Sequence, residues 1–292
     1  MTTLGAVFLP QNPPERLRSV VRAADQAGLE ELWLWEDCFL ESGIATASAA
    51  LAWSTSMRVG VGLLPVPLRN VALTGMEVAT LSRLFPGRAL IGVGHGVQDW
   101  MGQVGVRVES PVTLLREYTA ALRALLAGER VTTAGRYVKL DGVALDWPPT
   151  APTPILVGAV GPRTLRLSGE VSDGTILTGG TDPAGVLRAR ALVDEARTAA
   201  GRSAAHPIVV YLHAATGEGA ADRMAAERER WGYQGRSPSD VTVVGDEHAI
   251  ADAVHRWAAA GADSVVLQPT PDDPDPEGFV RFVAERVRPL VG

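Results

Sequence analysis

The chain has 292 residues, 46% of them hydrophobic, a formal net charge of −6 and one cysteine, Cys38. That is enough apolar material to bury a full core without cross-links, so global disorder and a disulfide scaffold are excluded. No block of basic residues invites nucleic acid or an anionic membrane surface, and no apolar run approaches the roughly 18 residues of a membrane span.

The opening "MTTLGAVFLPQNPPER" lacks the basic start and long apolar region of a signal peptide, so the expectation is a cytoplasmic protein. "LGAVF" (4–8) reads as a buried strand. A helix follows with Leu17, Val20, Val21 and Ala24 on one face and Gly28 as its stop. "ELWLW" (31–35) and "MRVGVGLLP" (57–65) are the second and third strands. Asn70 can cap a helix that runs to Leu84 and ends at "FPG". "ALIGV" (89–93) is the fourth strand. Ser110 and Pro111 then open a helix that Gly128 follows. "RVTTAGRYVKLDGVALDWPP" reads as a hairpin and a proline-rich connection. "PILVG" (154–158), "GTILTGG" (174–180), "PIVVYLHAA" (207–215) and "DSVVLQP" (263–269) supply strands five to eight, and a last helix spans about 276–287.

Eight short strands with intervening helices and no break in composition read as an α/β protein. The expected architecture is a single (β/α)8 TIM barrel over residues 1–292, with insertions after strands four and seven. A doubly wound open sheet is the rival. Within the second insertion, residues 231–240 read equally as a lid or a surface loop.

In a barrel, chemistry belongs at the C-terminal strand ends. "GVGHGVQDW" (92–100) leaves the fourth strand there. It fails the dinucleotide fingerprint, because Val97 stands where the third glycine should be. Its glycines serve either a tight exit turn or close approach of backbone to a flat aromatic ligand. "VGAVGPRT" ends strand five, and the amides of Ala159, Val160 and Gly161 sit before a helix start with Arg163 nearby. "TGGTDP" repeats the pattern with Thr178, Gly179 and Gly180. Together they read as a phosphate site, or as two ordinary βα turns. "WLWEDCF" ends strand two with Glu36, Asp37 and Cys38. A carboxylate among aromatic rings there would hold its proton tightly, whereas a solvated turn would not. Trp35, Phe39 and Trp100 suggest an apolar pocket or plain core. No two of the five histidines are spaced as metal ligands, and no G-x-S-x-G elbow or P-loop occurs, so no metal is expected. His95 and His213 fall at strands four and seven.

Three segments in order carry a resemblance: "PVPLRNVALTGMEVATLSRLFPGRALIGVGHG" (65–96), "PPTAPTPILVGAVGPRTLRLSGEVSDGTILTGG" (148–180) and "VVGDEHAIADAVHRWAAAGADSVVLQP" (243–269). The chain resembles the bacterial luciferase-like superfamily, and is most similar to its F420-dependent, methylene-tetrahydromethanopterin reductase-like branch. The resemblance implies a homodimeric barrel that binds coenzyme F420 or, alternatively, FMN. It implies a strand-three bulge, often a non-prolyl cis peptide, within Val61, Gly62 and Leu63. It implies that Gly94, His95 and Gly96 line the cofactor, and that Ala159, Val160, Gly161, Thr178, Gly179 and Gly180 hold its phosphate.

Two departures stand out. The family's Asp-His pair after strand two is here Asp37-Cys38, and the glutamate that sugar-phosphate dehydrogenases carry after the G-x-G is Val97. The second argues against oxidation of a sugar phosphate by that route. The expected activity is hydride transfer between the deazaflavin and a small organic substrate. Asp37 is the first proton-handling candidate and His95 the second, and Cys38 completes the catalytic set. An FMN-dependent monooxygenase and a catalytically silent cofactor-binding barrel are the alternatives.

Overall fold

The computed structural model describes residues 2–292. The apolar runs form β1 (Thr3–Val7), β2 (Glu31–Leu34), β3 (Arg58–Pro65), β4 (Ala89–Gly94), β5 (Val131–Ala134), β6 (Lys139–Val143), β7 (Ile155–Gly158), β8 (Gly174–Leu177), β9 (Ile208–Ala215), β10 (Thr242–Val244) and β11 (Ser264–Gln268). Eight of them run parallel in the order β1-β2-β3-β4-β7-β8-β9-β11, and β11 pairs back onto β1. This is the expected TIM barrel, and its eight strands are the eight read from the sequence. Helices cover the outside, which is why the strands read as continuous apolar runs rather than alternating ones.

The insertions lie where the sequence places them. After β4 come helices Gln98–Gln103 and Pro111–Leu126 and the antiparallel β5–β6 hairpin. After β9 comes a segment that includes β10, a three-residue strand that pairs in parallel with the last residues of β9 and was not foreseen. The final helical stretch passes its expected end. A π turn at Val283–Val287 leads into Arg288–Val291, because Val291 still packs on the core. Local stops behave as read: Gly28 takes φ 77° after helix Leu17–Ala27, and the Asn70 side chain accepts from the Ala72 amide at 2.9 Å. Among the described residues no helix is long and apolar enough to cross a membrane.

The inside of the barrel is crowded. Trp33, Trp35 and Tyr211 fill it together with Leu9, Leu156, Ile176 and Val266. Neighbouring strands make room with glycine. A Cβ at Gly60 would lie 2.4 Å from the Trp33 ring, one at Gly62 would lie 2.1 Å from the Tyr211 hydroxyl, and one at Gly92 would lie 2.5 Å from Ile176. Side chains alternate along a strand, so the "GVG" spacing of β3 and β4 turns glycine inward and sends Val59, Val61, Ile91 and Val93 to the outer core. At the floor, the buried Glu31 accepts from Trp33 Nε1 at 2.9 Å and from the Ser264 hydroxyl at 3.0 Å, and pairs with Arg58 at 2.7 Å.

His206, ahead of β9, is buried 2.8 Å from the Thr175 hydroxyl. Burial, with Arg197, Arg190 and Arg202 nearby, pushes its pKa down to about 4 from 6.5. Between those values the unfolded chain binds a proton that the fold excludes. Stability therefore falls as pH drops from 6.5 towards 4, by about 1.4 kcal/mol per unit from this group. Urea denaturation across that range should show a shallower decline for His206→Asn than for the native chain. The Gly60→Ala variant should lose about 1–3 kcal/mol, read as a lower urea midpoint at constant slope, because its methyl must displace the Trp33 ring.

Candidate functional site

Side chains at the C-terminal strand ends enclose a cavity of about 430 Å³. The four strand-end stretches singled out in the sequence, after strands two, four, five and six, all contribute to it, together with the end of β3. Of the expected residues, Asp37, Gly62, Leu63, His95, Gly96, Ala159, Val160, Gly161, Thr178 and Gly179 line the cavity. Val61, Cys38, Gly94, Arg163 and Gly180 lie outside its lining.

Local geometry explains the division. The β3–β4 register shifts between Val61 and Leu64, so one extra residue of β3 bulges. The Gly62–Leu63 peptide there is cis, within the segment expected, and Cys38–Phe39 is cis as well. A bulge re-aims the side chain beside it. Leu63 swings across the barrel mouth onto Gly94 and Gly158, where added Cβ atoms would meet its Cδ2 at 2.5 and 2.2 Å. Gly94 is thus a seat for Leu63, while Val61 is fully buried on the outer side. Arg163 is exposed on the first turn of helix Pro162–Val171. Gly180 sits under the Tyr233 hydroxyl.

The strand-two end separates two carboxyl groups by environment. Glu36 accepts from Arg69 Nε at 3.0 Å and Nη2 at 2.7 Å, and from the Gly43 amide at 2.8 Å. Glu77 holds the remaining side of Arg69 at 2.7 Å. Such a two-pronged pair fixes Glu36 as an ion-paired support. Asp37, next in the chain, has no side-chain partner among the described residues. Burial alone pushes its pKa up. Burial and the neighbouring Glu36 and Asp37 charges push the Cys38 thiol up too, so it stays protonated. His95 lies 3.1 Å from the Thr164 hydroxyl, and burial pushes its pKa down, leaving a neutral imidazole.

At the opposite end, helix Pro162–Val171 starts at Gly161 with no side-chain cap. The Ala159 amide, expected to face an anion, instead donates to the Ile176 carbonyl at 3.0 Å, because it continues the strand pairing; the Val160 and Gly161 amides beside the helix start have no partner among the described residues and are free to donate to an anion. The remaining walls are apolar: Trp35, Pro65, Val97, Trp100, Ile176, Tyr211 and Trp231. Of these, Tyr211 and Trp231 escaped the sequence reading. The Tyr211 hydroxyl donates to the Gly62 carbonyl at 3.2 Å from the middle of β9. Trp231 follows the helix Ala220–Arg230. Its Nε1 donates to Glu227 at 2.8 Å, and its ring packs on His213 and Tyr233 at 5.0 and 6.1 Å. The loop it begins is tied down by Arg236, which donates to the Gly180 carbonyl at 2.7 Å and pairs with Asp182 at 3.2 Å. An unpaired tryptophan inside an irregular, arginine-rich stretch was the available signal.

Comparison with known proteins places this arrangement. The luciferase-like monooxygenase family matches residues 2–268. A 5,10-methylenetetrahydromethanopterin reductase of Methanolobus tindarius is 34% identical over 176 residues, 60% of this chain and 53% of the relative. An F420-dependent glucose-6-phosphate dehydrogenase of Kineococcus radiotolerans is 31% identical over 184 residues, 58% of this chain and 54% of the relative. The chain thus spans about half the length of the curated relatives it matches. A solved structure of an F420-dependent secondary alcohol dehydrogenase with an F420–acetone adduct superposes with a TM-score of 0.88 at 18% identity, covering 100% of this chain and 99% of that one. At that identity the superposition speaks for the fold. The match over nearly the whole sequence speaks for descent, and the chain belongs to the luciferase-like monooxygenase family.

Proposed function

We propose that the chain is an oxidoreductase that uses coenzyme F420 to exchange a hydride with a small organic substrate. The observation that carries this reading is Asp37, a half-buried carboxyl in a largely apolar cavity, with no side-chain partner among the described residues and a pKa that burial pushes up. The relatives' names support the choice of cofactor.

The residues present fit such a group. Leu63, Gly62, Gly158 and Ile176 make a flat, apolar bed for a ring system. The uncapped amides at Gly161, with Thr178 and Gly179, suit a phosphate. No arginine or lysine lines this end. That favours the single charge of a phosphodiester over the dianionic phosphomonoester of FMN. When bound, the reduced deazaflavin supplies a hydride to an electron-poor C=O, C=N or C=C bond. The Asp37 carboxyl holds the proton that such a reduction consumes, and the tryptophans keep water from it. Glu36 and Arg69 fix the backbone from which Asp37 projects. His95, neutral and anchored on Thr164, is the second proton-handling group.

The outer surface supports a second copy as partner. Leu73, Met76 and Leu84 form an exposed stripe on helix Val71–Leu84, with Phe39, Leu40 and Trp53 also exposed. Apolar stripes of this kind are normally covered. We therefore extend the reading to a homodimer.

Titration by tryptophan fluorescence should give micromolar binding of F420 and at least about tenfold weaker binding of FMN. The reverse order makes the flavin-dependent monooxygenase the better reading, and tight F420 binding without turnover of any acceptor returns the silent barrel. Asp37→Asn should lower kcat about 100-fold or more while leaving the F420 Kd within about threefold. An unchanged kcat removes Asp37 from the chemistry. Sedimentation should give a dimer for the native chain and a monomer for Leu73→Asp/Met76→Asp; a native monomer rejects the assembly.

A further inference from the structure

Resting on that reading of the site, we infer the charge and shape of its substrate: an uncharged, planar, largely apolar molecule, for which an aromatic ketone is the probe, and not a phosphorylated or carboxylated one. The first ground is the missing cation. None of the residues lining the cavity is an arginine or a lysine. Of the arginines nearest in sequence, Arg163 is exposed on the first turn of its helix and lies outside the lining, and three others are engaged elsewhere. Arg69 is divided between Glu36 and Glu77. Arg107 donates to the Gln98 carbonyl and to Asp99. Arg236 is held by the Gly180 carbonyl and Asp182. The Val160 and Gly161 amides, which have no partner among the described residues, are the donors claimed by the cofactor's phosphate. This holds wherever in the cavity cofactor ends and substrate begins.

The second ground is repulsion. The wall that carries Asp37 also carries Glu36, and because Glu36 and Glu77 share the single cation Arg69 the cluster stays net negative beside an apolar cavity, where charges are poorly screened. The third is the aromatic frame. Trp35, Trp100 and Trp231 share the cavity. The Trp231 ring is held by Glu227, His213 and Tyr233, yet it is 39% exposed, so a flat face stays open to a flat partner without loss of rotamer freedom.

The chemistry balances with the groups named. With a ketone as substrate and reduced F420 bound, the cofactor would supply the hydride to the carbonyl carbon; Asp37 would give the proton to the oxygen that takes up the C=O π pair, leaving the alcohol, the oxidised cofactor and a carboxylate that regains its proton from solvent.

The test is a binding series read by tryptophan fluorescence, on the cofactor-free protein and again in the presence of F420. Acetophenone should quench with a Kd at least about tenfold below that of 4-acetylbenzoate, and glucose 6-phosphate should give no saturable change. Equal or tighter binding of either anion, or no saturable quenching by acetophenone, overturns the inference. Val97→Arg places a guanidinium on the exposed rim. It should tighten 4-acetylbenzoate binding at least about tenfold with the melting temperature unchanged. No gain in a folded variant shows that a missing cation is not what excludes anions, and overturns it too. If F420 fails to bind, the proposed function falls, while the ratio between the two ketones on the cofactor-free protein still decides the charge rule.

Discussion

The volume of one indole inside the barrel governs much of what surrounds it. Trp33 stands inward from β2, and β3 can lie beside it only if Gly60 and Gly62 present no side chain. Because inward and outward positions alternate, the same strand places Val59 and Val61 in the outer core. The bulge after Val61 then breaks the alternation once and delivers Leu63 to the mouth, onto Gly94 and Gly158. Barrel interior, cavity floor and the spacing of the glycine motifs are thus consequences of packing large side chains in a confined cylinder.

The architecture was legible in the sequence because each barrel strand is a short apolar run bounded by a turn signal, and each helix buries a periodic face. Leu17, Val20, Val21 and Ala24 are buried as their spacing requires. β10 left no such mark: three residues that add to the end of a neighbouring strand carry no periodicity of their own.

The candidate site was legible in part. Asp37, His95, Gly96, Gly161 and Thr178 stand at strand ends that the barrel brings together. The glycine-rich exit of β4 is the instructive residue of the reading. A G-x-G run signals close backbone approach, but sequence does not say what approaches. At Gly94 it is Leu63 from the next strand rather than a ligand. Tyr211 and Trp231 were missed for the opposite reason. An aromatic residue within an apolar strand, or just past a polar helix, looks like any core or surface residue until the strands are closed into a circle.

The Glu36–Arg69–Glu77 chain has a reach beyond fixing one carboxylate. Its first member is a cavity wall, its middle member leaves the loop after β3, and its last lies on the helix that also bears Leu73 and Met76. These two-sided contacts act as a strut between the cavity and the outer face. A load or a substitution on that face is therefore transmitted to the cavity wall, and the shape of the cavity depends on residues that never touch it.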